Sequence, residues 1–166
     1  MNAPRPEYID FPGSRTVVVR FSELPMFRMP DEMDRAYRAL GEAMQQGAFR
    51  PAGPAFSRYE SVPGETATFE TGFPVEEPLA EAMMVDDIRV VPSELPACTL
   101  AVSQHVGPYD GLGESWRSFV EQVESEGRTT LMPFWEAYDT EPGPDVDPES
   151  LITGLAVPVK DDPNTA

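Results

Sequence analysis

The hydrophobic pattern of this chain runs through one sequence of elements and then repeats it. Residues 16–22, from Thr16 through Val17, Val18 and Val19 to Ser22, are rich in β-branched side chains and stop at Pro25, which predicts a strand. Met33, Tyr37, Leu40 and Met44 then recur at helical spacing until Gly47, with Asp31 placed to cap the start of the helix. Two short runs, 55–60 and 66–73, flank Pro63-Gly64-Glu65 and predict a hairpin. A loop rich in Glu and Met follows over 76–87, with room for a helical turn. The order then returns. Residues 98–105 alternate as a strand, Gly107-Pro108 turns the chain, and Tyr109, Leu112, Trp116, Phe119 and Val123 mark one face of a helix ending near Gly127. A second hairpin, 133–139 and 151–159, encloses the acidic, proline-rich loop 141–149.

The copies align: Pro54 and Tyr59 match Pro133 and Tyr138, and Phe73-Pro74-Val75 matches Val157-Pro158-Val159. The expected fold is therefore α+β, a duplicated strand-helix-strand-strand unit forming an antiparallel sheet with two main helices on one face and a ligand cleft on the other. A single domain is expected over 14–160, with halves at about 14–75 and 95–160 and loosely held termini at 1–13 and 161–166. Alternation assigns Val17, Val19 and Phe21, with Cys98, Leu100 and Val102, to the side beneath the helices. The opposite side carries small residues, among them Thr99, Ala101, Ser103 and His105, and reads either as exposed sheet or as a groove. On that pattern Phe134, Glu136 and Tyr138 project to the open face with Ser57 and Tyr59 as counterparts, while Trp135 and Ala137 turn toward the helices. Glu136 has no acidic match in the first half, and that asymmetry suggests a site.

Charge and composition narrow the partners. Twelve Lys and Arg against 29 Asp and Glu give a formal charge of −17, which repels phosphate backbones and argues against direct nucleic-acid binding. A solvated acidic surface accounts for most of that charge, and a cationic ligand is favoured by it. Cys98 and His105 are the only residues of their types, so no internal disulfide, thiolate cluster, metal site or cofactor is expected. With no targeting segment and no apolar window long enough to span a bilayer, the expected location is the cytoplasm, with no membrane partner.

The segment from His105 through Gly107, Pro108 and Tyr109, the aromatic helix through Trp116, the strand Trp135-Glu136-Ala137-Tyr138 and the closing run from Ile152 to Val159 resemble GyrI-like effector-binding domains. These are small-molecule modules of AraC-type and MerR-type transcription regulators that also occur as free-standing proteins. The resemblance covers about residues 14–160 and implies a ligand cleft between the halves. It also implies that an acid at the position of Glu136 sits among aromatics and pairs with cationic drugs. The residues before the first strand are too few for a helix-turn-helix, so a free-standing member is expected. Such relatives include drug-sequestering proteins, inhibitors of DNA gyrase and hydrolases of strained, cyclopropane-bearing genotoxic compounds.

The candidate residues follow from this. Glu136 either binds an aromatic cation among Phe134, Tyr59 and Tyr138, acts as a general acid or base with Tyr138 stabilising developing charge, or forms a structural ion pair with Arg20 or Arg58. Trp135 and Tyr109 complete the expected ligand-binding set, although Trp135 and Trp116 also suit the core and Tyr109 also suits a staple between helix and sheet. His105 reads first as a hydrogen-bonded strand terminus and second as a general base, and Cys98 as inert core. The leading function is a cytoplasmic small-molecule-binding protein for amphipathic aromatic or cationic compounds. The rivals are a cofactor-independent hydrolase and a gyrase-type protein modulator.

Overall fold

The computed structural model describes residues 5–140 and 144–160. Among them are nine strands and two α-helices: β1 (Glu7–Phe11), β2 (Ser14–Pro25), α1 (Met29–Gln45), β3 (Phe56–Tyr59), β4 (Thr66–Val75), β5 (Met83–Val85), β6 (Ile88–Leu95), β7 (Cys98–Val106), α2 (Leu112–Ser125), β8 (Phe134–Tyr138) and β9 (Ile152–Val159). The fold is α+β and its ladders are antiparallel. The chain divides into two compact units, Pro12–Ala97 and Met1–Phe11 with Cys98–Ala166.

The first unit orders its strands β3-β4-β2-β6-β5. Helix α1 starts with Pro30 in its first turn and ends where Gly47 takes a φ of +80°, a conformation that costs glycine little. It buries Ala36, Ala39, Leu40 and Ala43. Tyr37 crosses from α1 to the sheet, where its hydroxyl donates to the Phe56 carbonyl at 3.1 Å and meets Thr71 Oγ1. Thr71 lies opposite both Ser57 and Val19, and directly opposed residues share a face, so Val17, Val19 and Phe21 lie beneath the helix as expected.

The second unit orders its strands β1-β7-β9-β8. Its core joins Phe119 and Val123 of α2 to Ala101, Leu155, Val157 and Val159, with Tyr8, Leu112, Trp116 and Phe134 packed against it. The register repeats that of the first unit. Pro74 faces Thr16 and Pro158 faces Leu100, which makes Val17 equivalent to Ala101, Ser57 to Glu136 and Tyr59 to Tyr138. The duplication and its residue alignment are thus present in the ladders.

Several boundaries differ from expectation. The segment 1–13 is not loose throughout, because Glu7–Phe11 pairs with β7 from Glu7 opposite Val102 to Phe11 opposite Cys98. The loop expected over 76–87 ends in a hairpin, with Asp86 at a φ of 53° turning β5 into β6. Helix α1 begins before Asp31, which sits in its first turn as a favourable acid and not as the cap. The face assignment fails on β7: Ala101 packs in the core cluster against α2, so Ala101, Ser103 and His105 lie beneath the helix and Cys98, Leu100 and Val102 turn away. The expected loose tail at 161–166 lies outside the described residues, as does part of the loop 141–149.

Candidate functional site

Glu136 lies near the middle of β8, opposite Leu155, whose side chain packs against α2. Its own side chain therefore enters the layer between the second unit's sheet and its helix, contrary to the expected open face. It is 6% exposed. Trp116 of α2 donates its indole N–H to Oε1 at 2.9 Å, and the Tyr138 hydroxyl donates to Oε2 at 2.9 Å. Both oxygens are met by neutral donors, and among the described residues no Lys or Arg pairs with the carboxylate. Burial pushes the Glu136 carboxyl above its ordinary range, against the opposing pull of the Trp116 and Tyr138 hydrogen bonds and the charge of nearby His105.

The surroundings are aromatic. Phe134 meets Trp116 edge-on at 4.8 Å, and Tyr109 meets Tyr138 edge-on at 6.0 Å. Tyr109 is 39% exposed and heads the 3-10 turn that opens α2. Its contact with Tyr138 ties that turn to the sheet.

His105 is buried on the same face. Its Nε2 lies 2.8 Å from the Pro108 carbonyl and its Nδ1 lies 2.6 Å from Ser115 Oγ. A carbonyl only accepts, so Nε2 carries the proton and, in the neutral ring, Nδ1 accepts from Ser115. Gly111 makes this close seat: a Cβ there would lie 3.2 Å from His105 Cε1. Thr153 stands opposite both His105 and Tyr138, is 0% exposed, and its Oγ1 has no hydrogen-bond partner.

The expected residues are distributed unevenly over this arrangement. Glu136, Tyr138, Phe134 and Tyr109 come together with Trp116. Trp135 does not: it alternates to the other face of β8, 5% exposed and 5.6 Å from Phe11, which also reverses its expected turn toward the helix. Tyr59 belongs to the first unit, where it stacks on Phe69 at 5.5 Å. Ser57 and Tyr59 share the face of Thr71 beneath α1, so they too lie on the helix side and not on an open one. The ion pair to Arg20 or Arg58 is not formed. Arg20 Nε lies 2.7 Å from Glu70 Oε2, Ser93 donates to the other Glu70 oxygen at 2.7 Å, and Arg58 Nε lies 2.9 Å from Glu60. Arg20, Arg58, Glu70 and Ser93 border an open cavity of about 620 Å³ in the first unit, where Arg20 and Arg58 are each matched by an acid.

Trp116 and Thr153 were not among the expected ligand-binding residues. The signal for Trp116 was available: a tryptophan on a buried stripe needs an acceptor for its N–H, and Glu136 needs a donor. Among the described residues no helix is long and apolar enough to cross a membrane, and no group of three His, Cys, Asp or Glu side chains is arranged to hold a metal ion.

The model of the GyrI-like small molecule binding domain matches residues 30–160. No curated protein matches the sequence. Among solved structures, the chain resembles EcmrR in a complex with DNA at a TM-score of 0.74 and 18% identity, covering 95% of this chain and 58% of that one. It also resembles SAV2435 bound to tetraphenylphosphonium, at a TM-score of 0.69 and 13% identity, over 95% of each chain. A third likeness is to a hydrolase from Listeria innocua, at a TM-score of 0.61 and 16% identity, covering 94% of this chain and 92% of that one.

Proposed function

The chain belongs to the GyrI-like small-molecule-binding family, and from that premise we propose that its second unit binds amphipathic aromatic cations, with Glu136 as charge partner and Trp116, Phe134, Tyr138 and Tyr109 as walls. One observation carries the reading: a buried carboxylate is held ready by two neutral donors and paired with no Lys or Arg among the described residues. A buried charge without a counterion is unfavourable, and a ligand that brings the counterion recovers part of that energy. The aromatic rings add cation–π attraction. The solved complex of SAV2435 with tetraphenylphosphonium supports a cation of this kind. On this reading the protein works in the cytoplasm, makes no direct contact with nucleic acid or membrane, and needs no cofactor.

A thermal-shift series with tetraphenylphosphonium and protonated aromatic amines tests it. Saturation at a hundredfold excess over Kd stabilises the folded state by about 2.7 kcal/mol, which moves the melting temperature by several degrees. The shift should vanish in Glu136→Gln. Unshifted melting with every compound would remove the binding function.

A second reading, a cofactor-independent hydrolase, is favoured by the raised carboxyl of Glu136, since a carboxyl that holds its proton more tightly than usual is suited to give or take one. Tyr138, already donating to it, would stabilise developing charge. Mass spectrometry of strained electrophilic compounds after incubation with the protein distinguishes turnover from holding.

A further inference from the structure

The face beneath α2 presents its polar groups in a small grid. Glu136 stands in one cross-strand row with Leu155 and Ser103, and the next row holds Tyr138, Thr153 and His105. Each group of the second row except one is committed: Tyr138 to Glu136, and His105 to Pro108 and Ser115. The exception is Thr153 Oγ1, fully buried and without a partner. Buried hydroxyls are ordinarily hydrogen-bonded, and an orphan is a standing penalty that a ligand group can remove. Thr16 Oγ1 is a second buried orphan hydroxyl, but it belongs to the first unit and lies on the face away from α1.

Glu136 supplies the other half of the argument. A carboxylate has about four lone-pair directions. Trp116 and Tyr138 occupy two, so the carboxylate can still accept from an N–H donor. An ammonium with hydrogens gains charge-assisted hydrogen bonds there, whereas a quaternary ammonium or a phosphonium brings charge alone. Glu136 and Thr153 are diagonal neighbours across two strands, a relation that spaces residues about 7–8 Å apart and lets one small molecule reach both.

We propose that the site under α2 selects cations that carry N–H donors and a second hydrogen-bonding group, over quaternary ammonium and phosphonium cations. The ammonium lies on Glu136 and the second group, a hydroxyl or carbonyl, lies on Thr153 Oγ1. This deepens the binding function proposed above and rests on it.

Calorimetric titration of the full chain near neutral pH tests the selection with four probes. These are propranolol, an aryl ether whose secondary aliphatic amine is protonated near neutral pH and has a hydroxyl two carbons from nitrogen, its quaternary N,N-dimethyl derivative, its deoxy analogue and tetraphenylphosphonium. Propranolol should bind at least about tenfold tighter than its quaternary derivative, the scale of one charge-assisted hydrogen bond. Thr153→Val should weaken propranolol roughly fivefold and leave the deoxy analogue unchanged, and Thr153→Ser should restore the wild-type affinity. Free Thr153→Val should melt at or above the wild-type temperature, because the substitution removes the orphan hydroxyl while keeping the side-chain shape. Equal binding of propranolol and its quaternary derivative would overturn the selection while leaving the binding function standing. Unchanged propranolol affinity in Thr153→Val would overturn the assignment of Thr153. Binding by none of the four probes would remove both the selection and the function on which it rests.

Discussion

Ser57 and Glu136 occupy the same place in the two repeats, yet their surroundings have been put to opposite uses. Around Ser57 the first unit closes a neutral network. Ser57 Oγ lies 3.1 Å from Thr71 Oγ1, Thr71 donates to the Phe56 carbonyl at 3.0 Å, and Tyr37 roofs the group from α1. Around Glu136 the second unit replaces the Thr71 counterpart with Leu155 and roofs the carboxylate with Trp116. The first arrangement satisfies its members internally, as a structural network should. The second leaves acceptor capacity on a carboxylate that no Lys or Arg pairs with among the described residues. A duplicated scaffold can thus hold its backbone constant while one copy closes a neutral network and the other holds a buried carboxylate.

The largest way to break that contrast is to give the first half the second half's acid. Ser57→Glu would bury a carboxylate beneath Tyr37 without the indole donor, and urea denaturation at neutral pH should show a loss of about 3–5 kcal/mol or outright unfolding. A smaller effect sharpens the same comparison. Because the folded-state carboxyl of Glu136 is raised by burial, both states are protonated well below the ordinary carboxylate range, and the unfolded chain ionises first as pH rises. Wild-type stability is therefore lost as pH climbs from about 4.3 through the raised value of Glu136. Glu136→Gln should lack this dependence, so melting temperatures of the two proteins should converge at low pH and the variant should be the more stable near neutrality. The smallest change expected is Tyr37→Phe, which removes one neutral donor from the closed network and should cost about 1 kcal/mol by chemical denaturation.

Much of this was readable from the amino-acid sequence. The alignment of Tyr59 with Tyr138 reappears in the ladders, where Phe56–Tyr59 and residues 135–138 hold equivalent registers, because turn residues and β-branched runs carry strong local signals. The face of β7 was misread for a physical reason. Leu100 and Ala101 are both almost fully buried, and a strand covered on both sides loses the alternation that identifies its inner face. The repeat held the correction, since Val17 aligns with Ala101 and not with Leu100. Strand β6 is masked in the sequence by Pro92, opposite Val17, where a proline ordinarily argues against a strand. The cluster around Glu136 was partly legible: Tyr138, Phe134 and Tyr109 stand with it in the motif and meet in the structure. Trp116 and Thr153 required tertiary geometry, since one acts across a helix-sheet gap and the other is marked only by the partner it lacks.

The strand β1 has a consequence for how the chain comes into being. Strands β1 and β6 hold the same place, each flanking the first strand of a repeat, but β1 precedes the first repeat and pairs with β7, while β6 precedes the second and pairs with β2. The first unit is therefore one continuous segment, complete once Ala97 has been synthesised. The second has to retain Glu7–Phe11, made before the first unit, until β7 emerges more than eighty residues later. On the ribosome the first unit can complete its ladders before β7, α2, β8 and β9 have been made.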